Sequence, residues 1–304
     1  MSGSEERERR SPGCFARQNH ISRCVVTLSV LLVFCDVQRT RYDLPMDLRI
    51  KGRKAIVCAS SQGLGLACAT SLAREGCVVF INGRDESRLE QARAEIEAAT
   101  GVRATPVAAD INTGPGRTKL IAACPEADIL INNNAGPTPG KLADWDHAAW
   151  LAAVEANMLA PILLIRALLP GMRQRRFGRI VNITSAMVKS PRAQMGLSTA
   201  ARAGLTALSK SLVPEVAMDN VTINNLLPER IDTGRQRFMA ERMMKMENIT
   251  YEEARAQIVD TIAAKRFGKP EEFGDACAFL CSDQASFISG QNLQLDGGSY
   301  RGLI

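Results

Sequence analysis

From residue 55 onward, short apolar runs alternate with longer stretches in which apolar residues recur at three- and four-residue intervals. Seven runs have strand length: Ala55–Ala59, Cys77–Ile81, Ala104–Ala108, Ile129–Asn132, Arg179–Thr184, Val221–Leu226 and Asn292–Leu295. Helical spacing fills most of the gaps, over Leu64–Glu75, Ser87–Ala99, His147–Leu169, Thr199–Met218, Met239–Lys265 and Glu271–Leu280. Strands joined through helices require right-handed crossovers. The pattern therefore predicts an α/β chain, a single-domain Rossmann fold with a doubly wound, seven-stranded parallel sheet. No linker breaks the alternation, so residues 46–304 are read as one domain.

The first 45 residues do not share the pattern. A charged run, Ser4–Arg10, precedes an apolar stretch, Cys24–Cys35, whose twelve residues fall short of the roughly 18–20 needed to span a bilayer. Basic residues followed by an apolar segment resemble a signal peptide, yet no small-residue cleavage site is clear and Glu5, Glu6 and Glu8 dilute the positive charge. Met46-Asp47-Leu48 leads straight into the repeating pattern. Residues 1–45 are read as an extension, disordered or upstream of the natural start, and the protein as cytoplasmic with no membrane partner.

Composition narrows the chemistry. The chain has 304 residues, 46% hydrophobic and 23% charged, with a net charge of +6. Residues 1–46 carry seven basic and five acidic side chains, +2, leaving +4 for the rest. No basic stripe interleaved with aromatics suggests nucleic acid. His20 and His147 are the two histidines, too few and too far apart for a zinc site or a Ser-His-Asp triad, so no metal is expected. Nine cysteines without a C-x-x-C pair read as buried thiols in a reducing compartment. Three tyrosines, Tyr42, Tyr251 and Tyr300, leave few candidates for a phenolic acid.

The turn after the first strand, Ala59-Ser60-Ser61-Gln62-Gly63-Leu64-Gly65, places glycines and hydroxyls at a helix N-terminus. There, backbone N–H groups can meet a pyrophosphate, making Ser60, Ser61, Gly63, Leu64 and Gly65 candidate cofactor contacts. The second strand ends at Arg84, where a ribose-binding acid would favour NAD; a guanidinium can instead clasp a 2′-phosphate, which favours NADP. Arg84 also reads as a plain surface residue. Asp110 and Ile111 are placed to meet an adenine, and Asn133-Asn134-Ala135-Gly136 closes the fourth strand. All sit at C-terminal strand ends, where open α/β sheets bind ligands.

Taken in order, these segments resemble the short-chain dehydrogenase/reductase superfamily over roughly residues 48–300, and within it the 3-oxoacyl-[acyl-carrier-protein] reductase-like members. Further family-like segments are Arg179–Ser185, Arg266–Glu272, and Gly290-Gln291 through Asp296-Gly297-Gly298. The resemblance implies NADP(H)-dependent interconversion of a small-molecule carbonyl and a secondary alcohol, in a homo-oligomer, dimer or tetramer. It implies Ser185 as the hydroxyl on the substrate oxygen and Asn157 as a link in a proton relay. Pro228, Ile231 and Thr233 are implied at the cofactor, with Asn134, Ala135 and Gly136.

The family's Tyr and Lys, four positions apart, fall at Ser198 and Arg202. An aliphatic hydroxyl is a far weaker acid than a phenol, and a guanidinium does not shuttle protons near neutrality. Arg202 can still hold ribose hydroxyls. Lys189, Glu229 and Tyr251 are the substitute donors to weigh. Ala59 stands where the family has glycine, and Gln62 where a second basic partner for Arg84 is usual. Two readings stay open: an oxidoreductase with an atypical proton donor, or a non-catalytic nucleotide-binding scaffold or sensor.

Overall fold

The computed structural model describes residues 46–303. The described residues from Leu48 onward form one compact unit. The extension 1–45, with its apolar stretch, Tyr42 and Cys14, Cys24 and Cys35, lies outside the described residues.

Seven strands form one sheet: β1 Lys54–Val57, β2 Val78–Gly83, β3 Thr105–Ala108, β4 Ile129–Asn132, β5 Gly178–Ile183, β6 Val221–Pro228 and β7 Asn292–Leu295. Their order is β3-β2-β1-β4-β5-β6-β7 and every pairing is parallel, the doubly wound arrangement expected from the alternation. β1, β4 and β5 are covered on both faces, which explains why β1 and β4 read as near-continuous apolar runs. On one face lie helices α1 Gly63–Arg74, α2 Glu86–Thr100 and α9 Pro270–Cys281, packing through Leu72, Leu89 and Phe273. On the other lie α3 Gly114–Ala123, α5 Ala160–Gln174 and α6 Gly196–Val216, packing through Leu120, Leu164 and Leu205.

Three elements differ from the pattern. The sequence does not single out α3, because Pro115 and two glycines dilute its spacing; Thr113 caps it by accepting from Gly116 N–H at 3.1 Å. The stretch read as one helix over Met239–Lys265 is two, α7 Gly234–Glu247 and α8 Tyr251–Asp260. Asn248, at φ 54°, ends the first in a left-handed turn, and Thr250 and Glu253 cap the second reciprocally. The long helix from His147 is interrupted. It runs as α4 His147–Val154, then a π-turn over Glu155–Leu159, then α5. Pro161 has no N–H for the carbonyl of Asn157, four residues back, and Ala160 N–H bonds instead to Glu155 O. By length and composition alone His147–Gln174 could cross a membrane, yet here it covers the sheet and buries Leu164, Ile165, Leu168 and Met172.

Two polar features sit inside this apolar frame. Asn132, Asn182, Asn225 and Asn292 are register partners on β4, β5, β6 and β7. Their amides form a row, Asn132 Nδ2 to Asn182 Oδ1 at 2.9 Å, Asn182 Nδ2 to Asn225 Oδ1 at 3.0 Å and Asn225 Nδ2 to Asn292 Oδ1 at 2.8 Å. Arg179, at the start of β5, is wholly buried. Its guanidinium donates to Ser282 O, Gly178 O and Asn220 O and Oδ1, and stacks on Phe177. The six described cysteines are free and buried, and burial pushes Cys58 up to about 12 and Cys124 up to about 11, so neither thiol ionises near neutrality.

Candidate functional site

β1 and β4 are neighbours whose following helices leave on opposite faces of the sheet, and a cleft of about 1410 Å³ opens at their C-terminal ends. Of the residues singled out in the sequence, it is lined by Ser61, Gly63, Leu64, Arg84, Asp110, Ile111, Asn134, Ala135, Gly136, Ser185, Ser198, Arg202, Pro228, Ile231 and Thr233. Ser60, Gly65 and Asn157 stand behind this lining.

The glycine turn is shaped from beneath. Ser60 is wholly buried; its hydroxyl donates to Val57 O at 2.7 Å and accepts from Asn82 N at 2.9 Å. Asn82 donates to Val107 O and Ala109 O at 3.1 and 3.0 Å, tying the turn to β3. At Gly65 a Cβ would press on Ala59 O and come within 2.8 Å of Ser60 Cα, so the helix can meet the turn only if this residue is glycine. Gly63 adopts φ 61°. Gln62 at the N-cap of α1 makes no side-chain bond to the helix, which leaves the terminal N–H groups facing the cleft free for an anion. These features fit a dinucleotide pyrophosphate.

Ala59 holds φ 43°, a left-handed conformation that costs an L-residue roughly 1–2 kcal/mol, partly offset in glycine by chain entropy. Ala59→Gly is therefore expected to stabilise the protein by roughly 0.5–1 kcal/mol and raise Tm by about 2–4 °C. A thermal melt measures this, and an unchanged or lower Tm would show that the turn carries no such strain.

At the β2 end, Arg84 is exposed beside Ser61, whose Oγ lies 3.3 Å from where a Gly83 Cβ would stand. Arg88, four residues on, lines the same corner and lies 3.8 Å from Asp85. The sequence reading looked for a second basic partner at Gln62 and missed Arg88. Its i+4 spacing from Arg84, across the first turn of α2, was the available signal. Asn112 was missed too: its Oδ1 accepts from Asn134 Nδ2 at 2.8 Å and orients the loop after β4.

At the other end stand two serines. Ser185 caps a short turn, its Oγ accepting from Met187 N at 3.2 Å. Ser198 Oγ accepts from Arg202 Nε at 3.2 Å. Arg202 is 7% exposed and also donates to Ile183 O (2.6 Å), Thr184 O (3.0 Å) and Asn134 O (3.3 Å). Burial, and after it the charge of Arg235, pull its guanidinium down to about 10, which still leaves it protonated at neutral pH. Asn157 lies at the π-turn with Nδ2 3.4 Å from Ala135 O, and its buried Oδ1 has no partner among the described residues. Glu229 lines the cleft but is held by Arg192 Nη2 at 2.8 Å. Lys189 and Tyr251 lie off the cleft lining, Lys189 facing the Tyr300 ring at 5.5 Å and Tyr251 stacked beside Arg255. Among the described residues no cluster of His, Cys, Asp or Glu is arranged for a metal ion.

A parallel sheet of this order, a glycine turn at its switch point and serines at the far end of one cleft define a nucleotide-binding α/β protein of the Rossmann type. The chain belongs to the short-chain dehydrogenase/reductase family, with residues 58–300 matching the family model described as enoyl-(acyl carrier protein) reductase. It is 34% identical to the NADPH-dependent reductase BacG of Bacillus subtilis, over 83% of this chain and 99% of that protein. It is 33% identical to dehydrogenase/reductase SDR family member 4 of Bos taurus, over 89% and 93%. Among solved structures, L-sorbose reductase from Gluconobacter frateurii, complexed with NADPH and L-sorbose, superposes with a TM-score of 0.80 at 30% identity, covering 85% of this chain and 100% of that one.

Proposed function

We propose that the domain, residues 46–304, is an NADP(H)-dependent oxidoreductase that interconverts a carbonyl and a secondary alcohol, with Ser198 and Arg202 in place of the family's Tyr and Lys. One observation carries this reading. The two serine hydroxyls at the far end of the cleft each accept from a fixed N–H, Ser185 from Met187 and Ser198 from Arg202, which leaves each O–H proton free to donate to a substrate oxygen. Bound NADP(H) would supply or accept the hydride, held by the α1 N-terminus, Asp110, Ile111 and Thr233.

As the substrate oxygen gains charge, Ser185 and Ser198 hold it with two hydrogen bonds. Ser198 passes its proton on, and the guanidinium fixed on its Oγ stabilises the charge left behind until water restores it. Asn157 acts as a positioning residue, its unpartnered Oδ1 and the interrupted helix offering a seat for that water. NADPH-complexed L-sorbose reductase and the NADPH-dependent reductase BacG support the cofactor assignment by similarity. A cytoplasmic location, and assembly into a dimer or tetramer, belong to the same proposal. The exposed Leu151 and Leu159, and the apolar groove lined by Ile162, Ile165, Leu169, Leu208 and Leu212, support the assembly.

The test is NADPH oxidation across a panel of diverse carbonyls, run beside NADPH binding. Turnover of at least one carbonyl is expected. Binding without any turnover would favour the scaffold reading that the missing Tyr and Lys suggest. Arg84→Asp is expected to lower the preference for NADPH over NADH by about 10–100-fold, the worth of one or two charge-assisted bonds to a phosphate. The ratio of the two dissociation constants reports it, and an unchanged ratio would remove Arg84 from the cofactor site.

A further inference from the structure

The loop after β4 is stitched down by three arginines, each on a different carbonyl of the loop. Arg202 Nη2 donates to Asn134 O at 3.3 Å, Arg235 Nη2 to Pro137 O at 3.1 Å and Arg242 Nη1 to Pro139 O at 2.9 Å. Carbonyl dipoles satisfy the N–H groups but do not cancel the charges. No carboxylate among the described residues pairs with any of the three, and two acids of the adjoining cleft lining are held by other arginines: Glu229 by Arg192, and Asp232 by both Nη atoms of Arg255 at 3.1 and 2.9 Å.

The arrangement is unfavourable as it stands. Arg202 is more than nine-tenths buried, Arg235 is half-buried, and the charge of Arg235 depresses Arg202 as that of Arg242 depresses Arg235. Taking a charge out of water without a counter-ion costs several kcal/mol. Arg179 is a useful contrast. It too is buried without an acid and bonded along its guanidinium to fixed acceptors, but unlike Arg202 it lines no cleft. Arg202 and Arg235 both line the cleft at the end that holds Ser185 and Ser198.

We propose that the substrate carries a carboxylate, and that Arg202 and Arg235 form its subsite beside the two serines. The proposal deepens the oxidoreductase reading and rests on it for the role of the bound acid. The anion completes the site: it neutralises the arginine pair and so holds the carbonyl of the same molecule against Ser185 and Ser198. A nucleotide phosphate is the other possible source of anionic oxygen, and the experiment separates the two.

Binding, not turnover, is the readout, so the result stands even if no carbonyl is reduced. 2-Oxobutanoate, acetoacetate and levulinate, whose carbonyl lies progressively further from the carboxylate, are titrated calorimetrically against their methyl esters. The full-length protein saturated with NADP⁺ is used in chloride-free buffer, and NADPH affinity is measured separately. At least one acid is expected to bind ten-fold or more tightly than its ester. Arg235→Gln should erase that preference while changing NADPH affinity less than threefold, and Arg235→Lys should keep most of it. Acids and esters within threefold of each other on the native protein would overturn the proposal. So would an Arg235→Gln variant that weakens NADPH and leaves the acid-to-ester ratio intact, because the arginine would then serve the nucleotide.

Discussion

The double variant S198Y/R202K is expected to reduce an ordinary neutral ketone about 10²–10⁴-fold faster than the native chain, the usual worth of a well-matched general acid. A serine hydroxyl is a far weaker acid than a phenol near ~10, and an ammonium beside the phenol lowers it further. Arg202 now spends four N–H bonds on Ser198 Oγ and on the carbonyls of Ile183, Thr184 and Asn134. At about 10 it is no proton shuttle near neutrality. Ser198 is buried but lines the cleft, so a longer side chain at this position extends into it. Lysine cannot reach all of those acceptors, so a loss of roughly 1–3 kcal/mol in stability should accompany the gain. The measurement is kcat/KM from NADPH oxidation, beside a thermal melt. A gain below tenfold in a folded, NADPH-binding variant would show that this pair does not limit neutral ketones.

Arg179→Met should cost about 3–5 kcal/mol and lower Tm by roughly 10 °C or more. The substitution leaves buried Ser282 O and half-buried Asn220 Oδ1 without this donor, while Asn220 O keeps the Gly178 N–H, and it removes the plane stacked on Phe177. NADPH affinity should not move, because Arg179 begins β5 whereas Ser185 follows its end. Calorimetry decides: a loss under 1 kcal/mol would mean that those carbonyls rehydrate without cost.

Much of the fold was legible because its signals are local and redundant. Each strand is an apolar run, each crossover has helical spacing, and the glycine turn lies between the first of each. What the sequence left unseen depends on backbone detail or on long-range approach. One asparagine in a left-handed turn splits α7 from α8, and one proline four residues beyond Asn157 converts a straight helix into a π-turn. At the site, Ser185, Ser198 and Arg202 could be placed from motif order, but Ser60 looked like a phosphate donor and is instead a strut beneath the turn. The three arginines on the loop after β4 are separated by up to forty residues and share no motif. Only folding brings them to one loop.

The row of asparagines has a consequence for how the sheet is reached. In a strand, successive side chains point to opposite faces, so shifting β5 by one residue carries Asn182 to the far layer and puts Val181 or Ile183 in its place. Such a slip would break the bonds on both sides together and strand several amides among leucines and isoleucines. Apolar contacts alone would discriminate less, since Ile180 on one face of β5 and Val181 and Ile183 on the other give both layers aliphatic side chains to pack against. The four amides thus act as a key cut across four strands: hydrophobic collapse can assemble the sheet in several alignments, and only one of them lets the key turn.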